Sequence, residues 1–229
     1  MKKEVKVLSL GGSLIAPEKI DTRFLKNFRK AILKNTNRYK FIVVCGGGTT
    51  ARKYISALGE LGAKELAQSF AGISATRMNA RFMSYIFKID PKEGIPHKID
   101  EIKNYLKRQD VVFCGALEYG KQETSDSTAV KVAERFKADF INLTDVKGLY
   151  DKNPKKFKNA KLIKTISWRK FKSLADKMKY RPGQHFVLDQ TAAKMILEKN
   201  IATSIIGKDM NQLDHLLKGK KFIGTIIEG

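Results

Sequence analysis

With 229 residues, 42% of them hydrophobic, the chain can bury a core of its own, and a net charge of +22 makes its surface attractive to anions. No apolar run approaches the roughly 18 residues of a membrane-spanning helix, and the start, Met1-Lys2-Lys3-Glu4, lacks a signal-peptide core, which predicts a cytoplasmic protein. The basic residues are spread through every segment without regular aromatic interleaving, so a solvated lysine-rich surface explains them better than a nucleic-acid-binding one.

Taken in chain order, short β-rich runs alternate with longer helical patterns. The runs are Val5 to Leu10, Phe41 to Cys45, Val111 to Cys114, Phe140 to Leu143, Ile201 to Ile206 and Phe222 to Ile227, several of them continuously apolar as buried strands are. Between them, Asp21 or Thr22 can cap a helix carrying Phe24, Leu25, Phe28, Ile32 and Leu33, and Thr49 opens another with Ala51, Tyr54, Ile55 and Leu58 on one face. Further helices are expected over Leu66 to Phe87, Ser127 to Lys137, Ser167 to Lys177 and Asp189 to Lys199. Strand alternating with helix predicts an α/β protein, a three-layer αβα sandwich with a mainly parallel sheet. The chain divides softly into residues 1–139 and 140–229, sharing one sheet. Cys45 and Cys114 each end an apolar run. If both strands are parallel the thiols lie near one sheet edge, close enough for an opportunistic disulfide that a reducing compartment disfavours.

Two strands run directly into glycine: Val5 to Leu10 into Gly11-Gly12-Ser13, and Phe41 to Cys45 into Gly46-Gly47-Gly48 with a helix behind it. Glycine at the carboxyl end of a strand lets backbone N–H groups approach a ligand, and the following helix presents further N–H groups to phosphate oxygens. Either turn alone is equally well explained as a tight turn; two in one chain point to phosphate. Neither fits the dinucleotide fingerprint or the P-loop. Arg52 and Lys53, one turn into the second helix, can add positive charge. Thr124-Ser125-Asp126-Ser127-Thr128 is more polar than helix capping requires; Asp126 can organise magnesium or the lysines around a transferring phosphoryl group, and the hydroxyls can donate to an acceptor phosphate. His97, His185 and His215 lack metal-ligand spacing and read as structural or surface residues.

These glycine turns, the stretch Thr124 to Val130 and above all Thr144-Asp145-Val146-Lys147-Gly148-Leu149-Tyr150-Asp151-Lys152-Asn153-Pro154 resemble the amino acid kinase superfamily, and within it the archaeal-type uridylate (UMP) kinases. Ala51 to Ile55, Ala75-Thr76-Arg77-Met78-Asn79-Ala80, Asp189 to Ile196 and Gly224 to Ile227 support the narrower match. The resemblance implies transfer of the γ-phosphoryl group of ATP to UMP in pyrimidine nucleotide synthesis, with Mg2+ arriving with ATP and no direct protein ligand assigned to it. It places ATP over the carboxyl-terminal half and the acceptor over the amino-terminal half. Gly12 and Ser13 would hold the transferring phosphates, Gly48 and Arg52 would assist ATP, and Thr144, Asp145, Tyr150 and Asn153 would form its nucleoside pocket. Gly47, Ser69, Ala116, Thr124 and Ser125 would meet the acceptor, and Gly12, Asp126, Lys53 and Lys194 would serve the chemistry. A homohexamer is implied as well.

Three positions and one loop depart from the pattern. Ser9 stands where many members carry a phosphate-bridging lysine and Thr49 where a second lysine is common, which makes Lys6, Lys53 and Lys194 candidates to replace the missing charge. Ser69 occupies the place of an acidic residue that grips the ribose, and the loop Ala116 to Glu123 replaces a glycine- and proline-containing phosphate loop. The alternatives are therefore a kinase of the same fold for another small phosphate, carboxylate or carbamate, or a catalytically silent nucleotide-binding regulator.

Overall fold

The computed structural model describes residues 3–120, 124–177 and 187–229. His185 and part of the loop after the third strand therefore lie outside the described residues. The chain runs β1 (Glu4–Leu10), α1 (Gly12–Ile15), α2 (Thr22–Lys34), β2 (Tyr39–Cys45), α3 (Gly48–Glu60), α4 (Glu65–Ile86), α5 (Ile99–Arg108), β3 (Val111–Cys114), α6 (Ser125–Phe136) and β4 (Asp139–Leu143). It continues through β5 (Thr165–Ile166), α7 (Trp168–Lys177), α8 (Gln190–Glu198), β6 (Thr203–Ile206), α9 (Met210–Leu217) and β7 (Gly224–Ile227).

All seven strands join one sheet in the order β3-β2-β1-β4-β6-β7-β5. From β3 to β6 every pairing is parallel, and only β6 with β7 is antiparallel. The two halves of the chain are thus continuous through the β1–β4 pairing. Because side chains alternate across a strand, the sheet divides its apolar residues between two cores. Val7, Ile42, Val44, Val112, Phe140 and Ile205 face the layer that includes α6 and α8. Leu8, Leu10, Phe41, Val43, Phe113 and Leu143 face the layer that includes α2, α4 and α9. Near-continuous apolar runs are what a sheet covered on both faces demands.

That alternation also settles the cysteines. Cys114 pairs in register with Val44 and shares its face, whereas Cys45, one residue further on, points into the opposite core. Both thiols are free and fully buried, and burial pushes Cys114 up to about 12 and Cys45 well above its ordinary value. The disulfide is excluded by the sheet standing between the two sulfurs.

Local sequence accounts for the ends of several helices. The Asp21 side chain accepts from the Phe24 N–H and caps α2, so aspartate rather than Thr22 is the cap. Thr124 caps α6 in a reciprocal pair with Ser127, which starts that helix at Ser125, two residues earlier than its apolar pattern implies. Three helices lack a sequence-based expectation: the single turn α1, and α5 and α9, which are amphipathic, with Ile102 and Leu106 buried in one and Leu213 and Leu217 in the other.

Candidate functional site

Strands β3, β2, β1, β4 and β6 all end at the same edge, and their order reverses direction between β1 and β4. In an open parallel sheet a crevice opens at such a switch point, and ligands bind there. Gly11 bridges it at the root, its N–H donating to the Leu143 carbonyl at 3.1 Å.

The two glycine turns lie against each other at this edge. A Cβ built on Gly12 would stand 2.1 Å from the Gly48 nitrogen and 2.6 Å from the Gly46 oxygen, and one built on Gly46 would stand 2.6 Å from the Gly12 nitrogen. Gly48 adopts φ +62°, a conformation that side-chain-bearing residues avoid, and its Cβ would press on the Gly12 carbonyl at 2.6 Å. Glycine is therefore required by mutual contact, not only by a turn. Helix α3 starts inside this arrangement with no side-chain cap, so its first N–H groups face outward from the glycine turn with the positive end of the helix dipole behind them.

Above the turns sits a carboxylate. The Ser9 hydroxyl donates to Asp126 Oδ1 at 2.7 Å, joining the strand before the first turn to the start of α6. Desolvation drives the Asp126 carboxyl up to about 7, the charge of Asp189 adds to the rise, and the Ser9 hydrogen bond opposes it. Asp189, which caps α8 through the Ala192 N–H, also accepts from the Thr124 hydroxyl. Ser9, Thr124, Asp126 and Asp189 thus form one polar cluster, with Ser125 Oγ 3.4 Å from where a Gly46 Cβ would be.

On the β4 side, residues 144–162 fold into a self-braced segment. The Thr144 N–H donates to the Ile206 carbonyl, and the Leu149 N–H donates to Thr225 Oγ1 at 2.8 Å, whose hydroxyl in turn donates to the Ile163 carbonyl at 2.6 Å. Tyr150 bridges to Leu162, Asp151 accepts from the Lys161 N–H, and Asn153 Oδ1 accepts from the Lys155 N–H. Asp145 is ion-paired with Lys155. Thr144, Asp145, Tyr150 and Asn153 are thereby gathered into one short stretch beyond the carboxyl end of β4.

On the β2 and β3 side, helix α4 supplies the framework. Asn79 Nδ2 donates to the Gly46 carbonyl at 2.6 Å, while Thr76 Oγ1 accepts from the Ala116 N–H at 2.8 Å. A Cβ on Gly47 would meet Ala51 Cβ at 2.4 Å and Thr76 Cγ2 at 3.4 Å, so Gly47, Thr76 and Ala116 converge. Ser69 lies two turns earlier on the same face of α4 as Thr76. Thr76, Arg77 and Asn79 carry no functional expectation from sequence beyond the family resemblance. Their role is visible only once the two loops they hold are brought together from 33 to 40 residues away.

The lysine candidates separate clearly. Lys6 lies at the amino end of β1, opposite the glycine edge, and is held by Glu4 at 2.5 Å and Asp139 at 2.6 Å. Burial pulls its pKa down, but those two carboxylates more than reverse the effect and keep it charged. It is occupied in the wrong place to replace a phosphate-bridging lysine. Lys194 is exposed on α8 with Glu198 at 3.7 Å, and Lys53 is exposed on α3 beside Arg52, whose guanidinium donates to Thr49 Oγ1 at 3.1 Å. Neither lysine is among the groups nearest the glycine turns, whereas Gly12, Gly46 and Gly48 lie in mutual contact and Ser9 is hydrogen-bonded to Asp126.

Residues 4–207 match the model of the amino acid kinase family. The chain belongs to the amino acid kinase family. A uridylate kinase of Thermoplasma volcanium is 35% identical over 97% of this chain and 96% of its own length. The uridylate kinase of Archaeoglobus fulgidus, whose crystal structure is known, superposes with a TM-score of 0.83 at 33% identity, covering 98% of this chain and 99% of that one. A more distant structure, the UMP kinase of Ureaplasma parvum, has a TM-score of 0.78 at 21% identity over the whole of both chains and shares the fold. Among the described residues no helix is long and apolar enough to cross a membrane.

Proposed function

We propose that this chain is a UMP kinase, moving the γ-phosphoryl group of ATP to a phosphate oxygen of UMP to give ADP and UDP. The observation that carries the reading is the contact between the two glycine turns at the β1–β4 switch point. Uridylate kinases related over nearly the whole chain supply the acceptor. Phosphoryl transfer needs positioning and charge neutralisation more than covalent chemistry, so apposed backbone donors suit it.

In this reading the backbone at Gly12 and Ser13 holds the transferring phosphoryl group, with the amino end of α3 and Arg52 on the ATP side. Thr144, Asp145, Tyr150 and Asn153 enclose the nucleoside of ATP. Gly47, Ala116, Thr124 and Ser125 face the phosphate of UMP, and Ser69 its ribose. The acceptor oxygen attacks the γ-phosphorus as the bond to the ADP oxygen breaks, and the new bond forms in line with the old one.

Asp126 holds Ser9 and the start of α6 in register with the turns. Magnesium fits this site as a companion of the nucleotide. Among the described residues no group of three or more His, Cys, Asp or Glu could cage a metal, while the charge of Asp189 lies near enough to Asp126 to raise the Asp126 pKa. That donor set suits an ion carried mainly by phosphates and water. When bound, magnesium would neutralise the phosphate charge. Lys53 and Lys194 are the exposed cations assigned to that charge in this reading.

Self-association belongs to the same reading. Tyr54 on α3 and Leu66, Phe70, Met78 and Tyr85 on α4 are all close to half exposed, an apolar surface that suits contact with a second copy. Sedimentation of the purified protein tests it, and a monomer at micromolar concentration would remove the assembly.

The function is tested by measuring ADP release from Mg-ATP with UMP, CMP, dUMP, carbamate, glutamate and aspartate supplied one at a time. Turnover that depends on UMP well above the others is the expected result. Turnover with a different acceptor would keep the kinase and replace its substrate. ATP binding with no turnover would make the chain a silent nucleotide-binding protein.

A further inference from the structure

The loop after β3, which the sequence predicts to depart from the family pattern, has a fixed root. Gly115 is pressed onto α4: a Cβ there would lie 2.5 Å from Thr76 Oγ1 and 2.6 Å from the Arg77 nitrogen. Arg77 donates through Nε to the Ala116 carbonyl at 3.2 Å and through Nη2 to the Leu117 carbonyl at 2.8 Å. Further along, Tyr119 stacks on Phe70 of α4 with ring centroids 5.8 Å apart and 16° between planes. Within the same turn of α4 as Arg77, Asn79 holds the Gly46 carbonyl. One turn of one helix therefore fixes both the second glycine turn and the loop that faces it.

Arg77 forms no ion pair with a carboxylate among the described residues. A guanidinium bound by two donors to two successive backbone carbonyls fixes the path of the chain, because its planar fork sets the separation and direction of both oxygens. A single ammonium cannot span them in the same way.

We propose that Arg77 is a positioning residue for the phosphorylated acceptor. By tying residues 116 and 117 to the helix that also holds Gly46, it sets the distance between the acceptor loop and the glycine turns. This inference rests on the UMP kinase reading and extends it to a residue that touches neither substrate.

The test compares Arg77→Met and Arg77→Lys with the unaltered protein, using steady-state kinetics for both substrates and amide hydrogen exchange across residues 115–120. Hydrogen bonds to a charged group predict a rise of about tenfold or more in KM for UMP in Arg77→Met, with KM for ATP within about twofold, and a smaller rise in Arg77→Lys. Faster exchange at 115–120 should accompany both. An unchanged KM for UMP, an equal rise in both KM values, or unchanged exchange would each overturn the proposal. If the unaltered protein does not use UMP, the substrate assignment fails separately. The exchange comparison and the KM of whichever acceptor supports ADP release then decide the role of Arg77 by the same criteria.

Discussion

The segment from Thr144 to Leu162 braces itself, with Tyr150, Asp151 and Asn153 bonded within the same stretch and Thr225 as its main outside support. The loop after β3 has no such internal scaffold among its described residues and borrows its shape from α4 through Thr76, Arg77 and Phe70. The difference explains why one side of the site carries an eleven-residue signature that is readable in sequence and the other does not. A self-braced loop concentrates its constraints in consecutive residues, whereas a borrowed shape spreads them over a distant helix. It also separates what can vary. The loop after β3 can change its sequence provided that α4 still holds its root.

Substitutions can be chosen to affect both sides, then each alone. Gly12→Ala should affect both, because its Cβ would collide with the backbone of the other glycine turn at 2.1 Å and no flexible side chain can yield. Loss of at least about 100-fold in kcat/KM is expected, since misplacement on the scale of an ångström costs that much. Near-normal turnover would show that the contact between the turns does not position the reaction. Thr225→Val should affect the self-braced side alone. It leaves the Leu149 N–H and the Ile163 carbonyl without their buried partner, at about 1–3 kcal/mol, so KM for ATP should rise about tenfold while KM for UMP stays within about twofold. Equal changes in both would mean that the two sides are not independent. The smallest effect is expected from Ser69→Asp. Restoring an acidic residue at this half-buried place on α4 should lower the Kd for UMP about threefold, a fraction of a kcal/mol by calorimetry, as one added hydrogen bond allows. Weaker or unchanged binding would remove Ser69 from the ribose contact.

Much of the frame was legible because its causes are local. Six apolar runs became six strands, and Asp21 became a cap, since period and capping chemistry depend on neighbouring residues. The two-residue strand Thr165–Ile166 was too short to show a period, and the reversed direction of β7 has no local signature. Helix α5 did carry a signal, with Ile99, Ile102 and Leu106 at helical spacing, and could have been found from it. At the site, the glycines stood out by composition, but the requirement for them comes from contact between turns about 35 residues apart, which only the fold supplies. Ser9 shows the same limit. In sequence it marks a lost lysine; in the structure it donates to Asp126 across 117 residues. Lys6 shows the converse, a nearby basic residue that two carboxylates at the opposite edge of the sheet already hold.

The burial of Asp126 gives the site a carboxyl whose protonation is tied to folding and pH. Its carboxyl titrates near 7 in the folded chain against an ordinary value of 3.8, so an empty site at neutral pH is a mixture of protonated and ionised molecules. Because the folded value is raised, the site is most favourable to stability below about 4, and that contribution is lost as pH climbs through 7. Asp126→Asn should accordingly raise the thermal midpoint at pH 8 by the equivalent of about 4 kcal/mol, and the gain should fade toward pH 4; a pH-independent difference would contradict the shift. A cation entering with nucleotide phosphates would favour the ionised form and expel the proton. In the proposed kinase, loading the site near neutral pH should then release a proton, and the heat of nucleotide binding should vary with the ionisation enthalpy of the buffer.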